Sequence, residues 1–193
     1  MKLLFTITTL LLSFTTSVNA QKLKLSDGDI NFLKDENFIQ FEFTYTDMAV
    51  GKFNTEKEYV EKKREDYNKK ESGKGDEWVK SWVNDRKNQF EPKFIELFTK
   101  ASKMEQSNKA KYTLIFKTQF TEPGFNIGIA RKNAKINGEV LIVETANKNK
   151  ALATITVRDA LGRTFGGYDF DTGGRIAEAY ADAGKALGRF VKR

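Results

Sequence analysis

None of the 193 residues is a cysteine, so any fold this chain adopts is held by packing and hydrogen bonds, with no disulfide available. The first 20 residues give that absence its weight. Met1-Lys2 supplies a positive start, Leu3 to Phe14 is apolar apart from threonines and one serine, and Val18-Asn19-Ala20 is a small-residue cleavage pattern. This is the layout of an export signal cut between Ala20 and Gln21. The apolar run is shorter than the about 20 residues that span a bilayer, and no later stretch approaches that length. The mature chain is therefore expected outside the cytoplasm, in the periplasm first and otherwise at the cell surface or in the medium. It would have no transmembrane segment and no lipid-carrying cysteine.

The chain carries 33 basic and 26 acidic residues, a net +7, of which Lys2 leaves with the signal. The remaining charge is mixed in sign along the sequence, as on an ordinary solvated surface. It also admits attraction to an anionic envelope component. Nucleic acid is disfavoured by export and by the interleaving of acids with bases.

Residues 21–37 read as a loosely ordered lead-in, and 38–193 as a single domain. In FIQFEFTYT (38–46), Ile39, Phe41, Phe43 and Tyr45 alternate with polar residues, as along a strand with one buried face. Thr55 to Glu58 is a capping box that starts a charged helix to about Glu71. After Ser72 to Gly75, Asp76 is expected to cap a second helix bearing Trp78, Val79, Trp82 and Val83 on one face. Pro92 is a kink or the first turn of a third helix. Strands are expected at 112–120, 134–144 and 151–158. Asp159 to Gly162 reads as a tight turn, returning through a short strand at 163–170. Ile176, Tyr180, Ala183, Leu187 and Val191 form a final helical stripe, in which Gly184 and Gly188 would let the helix lie close to a sheet. The expected fold class is α+β, an antiparallel sheet of four to five strands packed on a helical insert and a C-terminal helix. The expected order is β-α-α-β-β-β-β-α.

With no histidine in the chain, Ser-His-Asp catalysis, an imidazole base and histidine-ligated zinc are all excluded. Neither a cofactor nor a metal site is indicated. Phe170-Asp171-Thr172-Gly173 resembles the catalytic loop of aspartic proteases, but the triplet occurs once and a helix follows, so Asp171 and Thr172 read more simply as caps. A calcium loop counted from Asp169 meets Gly173 and Tyr180 where ligands are required. Asp169 and Asp171 remain the catalytic candidates. Trp78 and Trp82 (a sugar or peptide platform, or core), Arg163 and Arg175 are the binding candidates.

Val157-Arg158-Asp159 to Arg163, followed by Gly173 to Phe190, resembles a periplasmic α/β module: a strand, an Asp-x-x-Gly-Arg turn, a return strand and an Ala-rich helix. Uncharacterised exported proteins of Bacteroidetes-type bacteria have this look. The curli-secretion lipoprotein's periplasmic domain and the TolB amino-terminal domain are similar. The resemblance covers about the last 80 residues and transfers no functional residues. The function expected is a non-enzymatic exported protein that binds, or helps assemble, an envelope partner: a protein or an anionic component. The alternatives are a histidine-free hydrolase using Asp169 or Asp171, and a structural subunit of a larger envelope complex.

Overall fold

The computed structural model describes residues 22–127, 129–162 and 172–193. In chain order the strands are β1 (Lys22–Gly28), β2 (Phe38–Thr44), β3 (Ala49–Val50), β4 (Glu105–Gln106), β5 (Tyr112–Glu122), β6 (Phe125–Asn126), β7 (Arg131–Lys132), β8 (Ala134–Glu144) and β9 (Asn147–Gly162). The helices are α1 (Glu56–Asn68), α2 (Lys74–Asp85), α3 (Glu91–Ser102) and α4 (Thr172–Phe190). A π-helical turn (Arg86–Phe90) joins α2 to α3 without a break.

Seven strands form one mixed sheet in the order β1-β9-β8-β5-β2-β4, with β3 beside β5. The neighbours β1, β9, β8 and β5 run antiparallel, whereas β2 and β3 run parallel to β5. This corrects the expected all-antiparallel sheet of four to five strands. The physical reason is the crossover: β2 and β5 are adjacent but separated by three helices, and a chain returning through such a connection re-enters parallel. Alternation puts Ile39, Phe41, Leu114, Phe116, Val140 and Ile155 on one buried face, under α3 and α4. The opposite face pairs Ile115 with Leu141 and Lys117 with Glu139, beside Thr154 and Thr156, all partly exposed.

Three local expectations change. The lead-in at 21–37 contains β1, an edge strand whose Leu23 and Leu25 pair with Val157 and Ile155 and pack on the core. The tight turn at 159–162 is instead the continuation of β9. Asp159 takes its turn-like conformation (φ 55°) inside the strand, its N–H donating to Asn137 Oδ1 at 2.8 Å across an irregular register. The return strand proposed for 163–170 lies outside the described residues. Asp76 is not a cap, since α2 starts two residues earlier behind Gly73 (φ 83°), and Asp76 instead holds Arg64 of α1 at 2.6 Å. Pro92 sits in the first turn of α3, directly after the π-turn. At α1 the expected cap is present, with Thr55 Oγ1 accepting the Glu58 N–H at 3.2 Å.

Gly184 and Gly188 do serve a close approach, but to α3 and not to the sheet. A Cβ on Gly184 would collide with the Phe94 carbonyl, and one on Gly188 would lie 2.5 Å from the Phe98 carbonyl. Gly184→Val is therefore expected to force α3 and α4 apart and to lower stability by about 2–4 kcal/mol in urea denaturation. Exposed Lys185→Ala, one residue on, should stay within about 0.5 kcal/mol of the parent.

Candidate functional site

The described residues hold one dense cluster of buried polar groups, where the π-turn meets the end of β2 and the middle of α4. Glu91, 8 % exposed, accepts from the Tyr45 hydroxyl at 3.4 Å and from Lys87 at 2.8 Å. Beside it stands Tyr180, whose hydroxyl lies 2.6 Å from Thr118 Oγ1 on β5. Arg86 stacks on the Tyr45 ring, 4.2 Å from its centroid, and its guanidinium pairs with Glu56. The Trp82 indole N–H donates to that same Glu56 carboxylate. Phe90 lies flat against Tyr180, the ring centroids 5.2 Å apart.

These side chains come from distant segments, and each has a local reason for its place. Tyr45 prolongs the inward alternation of β2, Tyr180 belongs to the apolar stripe of α4, and Arg86, Phe90 and Glu91 lie on or beside the π-turn. Burial, above all, pushes both tyrosine hydroxyls well above the usual tyrosine range, and the neighbouring Glu91 charge adds to it. Both therefore stay neutral at physiological pH. Each charge in the cluster has an opposite partner, and no buried side-chain nitrogen or oxygen among the described residues lacks a hydrogen bond. General acid–base work needs a group poised near working pH, and these tyrosines are driven the other way. The arrangement is a clamp: it ties the α1–α2 hairpin and the start of α3 to the sheet and to α4.

The sequence candidates fall in different places. Trp82, 5 % exposed, spends its ring in the core, stacked on half-buried Trp78 with centroids 5.5 Å apart. Tyr59 and Tyr67 of α1 complete that aromatic seam, so the tryptophans join α1 to α2. Arg175, also 5 % exposed, donates to the backbone carbonyls of Pro123 (3.3 Å) and Gly124 (3.4 Å) and to Thr172 Oγ1 (3.1 Å). It binds the first turn of α4 to the chain following β5. Arg163, Asp169, Asp171, Ala20 and Gln21 lie outside the described residues. Among the described residues no group of acidic side chains is arranged to hold a metal ion. Sequence reasoning missed Tyr45, Arg86, Glu91 and Tyr180 as a unit; only the in-register tyrosine closing FIQFEFTYT hinted at it.

A second feature stands just beyond Arg175. Strands β6 and β7 pair Phe125 with Lys132 and Asn126 with Arg131, and the Ile127 N–H donates to the Ala130 carbonyl at 3.0 Å. The tip carries exposed apolar side chains: Phe125 is 38 % exposed, Ile127 58 % and Ile129 98 %. The base carries Arg131, Lys132 and Lys135, with Lys132 near Glu122 at 2.5 Å and Lys135 near Asp159 at 3.0 Å.

No protein-family model and no curated protein sequence matches the chain. Among solved structures it is similar to the PelC dodecamer from Paraburkholderia phytofirmans, at 10% identity over 84% of this chain and 96% of that one, with a TM-score of 0.38. A single-residue variant of that dodecamer matches equally, over 97% of its chain. These two structures lend no support to the likeness drawn above to curli-secretion and TolB domains or to Bacteroidetes-type proteins. A TM-score of this size carries no functional argument.

The buried tyrosines set an alkaline limit. Their native hydroxyls titrate above the unfolded value of about 10, so their contribution is complete below that pH and is lost as pH rises beyond it. Each pH unit above about 10 is expected to cost about 1.4 kcal/mol per buried tyrosine. Tyrosinate absorbance should show Tyr45 and Tyr180 ionising only on unfolding, and Tyr45→Phe with Tyr180→Phe should reduce the amplitude of that late step.

Proposed function

We propose that this chain works outside the cytoplasm as a non-catalytic envelope protein that binds, or helps assemble, an envelope component. The observation that carries this reading is a contrast between two places. The densest polar cluster among the described residues is closed and charge-balanced, whereas the β6–β7 tip offers apolar side chains to whatever the protein meets. A surface of that kind marks an interaction site more often than a reaction site. The signal-like amino terminus and the missing histidine and cysteine support the same reading. Among the described residues no helix is long and apolar enough to cross a membrane, which is compatible with export.

A photo-crosslinking residue at position 129, in cells exporting the protein, tests it. The expected result is adducts with envelope components from position 129 and none from the same residue at position 185 on α4. No adduct from position 129, or a hydrolytic activity of the purified protein abolished by Asp171→Asn, would overturn the reading.

A further inference from the structure

We propose that residues 22–37 form a strap that closes last and is fastened by Lys192. Until it closes, the segment that follows the expected cut between Ala20 and Gln21 stays undocked; this rests on the export expectation within the envelope reading above. The first observation is the fastening. Lys192, two residues past the end of α4, donates to the carbonyls of Leu33 (3.0 Å), Lys34 (2.8 Å) and Glu36 (2.8 Å). A lysine ammonium has three protons, and all of them are spent on this one short segment. Hydrogen bonds from a charged donor are stronger than neutral ones. The 3-10 turn they hold, Asn31–Leu33, is too short to stand by itself.

The second observation is where the partners of the strap lie in the chain. β1 pairs with β9, from Lys22 opposite Arg158 to Gly28 opposite Ala153. The chain must then pass β9, β8 and β5 to enter β2 on the far side of the sheet. On that crossing Phe32 packs against Tyr112, ring centroids 4.7 Å apart, and Leu33 is fully buried. The Asn37 carbonyl accepts the Glu105 N–H at 2.7 Å, and Lys192 lies 156 to 159 positions from the carbonyls it holds. Bonds within 29–36 close single turns only. Everything else that orders the strap comes from far downstream, so the cost of closing a long loop precedes any gain. The antiparallel pairs β5–β8 and β8–β9, in contrast, form between successive long strands and can assemble ahead of it. Once the strap is closed, Lys22 is laddered to Arg158 one residue past Gln21. A protease needs an open chain, so late closure keeps the expected cut within reach.

Pulse-labelling hydrogen exchange during refolding of the mature chain tests the order. Amides of β5 and β8 are expected to gain protection in an earlier phase than those of 22–37. In the native state Lys192→Met should raise exchange at 29–37 at least about tenfold and leave β5 and β8 unchanged. Lys185→Met, on the exposed side of α4, should change neither. Should Lys192→Met fail to fold, the refolding order of the parent chain still decides. The role in export is read by adding signal peptidase to the refolding precursor. The cut at 20–21 should be at least about tenfold slower after 22–37 become protected than before. Protection of 22–37 together with β5 and β8 overturns the proposal, as does a Lys192→Met variant whose exchange at 29–37 is unchanged or rises alike throughout. A precursor cut equally fast at both times overturns it too, whereas one uncut at both times contradicts the export expectation on which it rests.

Discussion

The contact between α3 and α4 is the constraint on which the rest depends. Gly184 and Gly188 let the two backbones touch at Phe94 and Phe98, so both helices reach the same face of the sheet instead of stacking away from it. Phe94 and Phe98 then meet Phe41 edge-on, at 6.0 and 5.1 Å between ring centroids, and Tyr180 descends onto Phe116 at 5.8 Å. Edge-on aromatic pairs add about 0.5–1.5 kcal/mol each beyond the area they bury, which matters in a chain that has no disulfide. Upstream, the π-turn changes the helical phase by roughly one residue, about 100° around the axis. That brings Phe90 flat onto Tyr180 and Glu91 to Tyr45.

The polar clamp follows from the same placement. Tyr45 with Glu91, and Tyr180 with Thr118, form neighbouring hydrogen-bonded pairs because β2, β5 and α4 converge there, and Arg86 with Glu56 closes the outer side. Networks in which every buried polar group is satisfied rigidify a core. The hairpin is built the opposite way. Its base is fixed by Arg175 and Gly124, while its apolar tip has no counterpart on the protein's own described surface. Rigidity in one place and unsatisfied surface in the other divide the molecule into a scaffold and a contact point.

Much of this was legible in the chain. Alternation located β2, β5, β8 and half of β9, and a capping threonine located the start of α1, because these signals are local. Strand direction follows from connectivity: the helices between β2 and β5 impose the parallel pairing that alternation alone does not encode. β1 escaped notice because Leu23 and Leu25 are only two apolar positions on a half-exposed edge. Asp159 looked like a turn because its conformation is that of a turn, yet the pairing with Asn137 absorbs it into a continuous strand. Gly184 and Gly188 announced a close approach correctly and its partner wrongly, since spacing shows a narrow face and not what meets it. The cluster of Tyr45, Glu91 and Tyr180 brings together residues up to 135 positions apart and had no local signature.

The division into a closed scaffold and an open contact hairpin can be read directly by amide hydrogen exchange, with and without membranes prepared from the envelope. Free in solution, residues 125–132 should exchange fast, while β5, β8 and α4 stay protected. On addition of the membranes, protection should rise at 125–132 and stay unchanged around Tyr45, Glu91 and Tyr180. Protection that instead appears around those three residues, or over the outer face at Ile115 and Leu141 with none at the hairpin, would contradict the account.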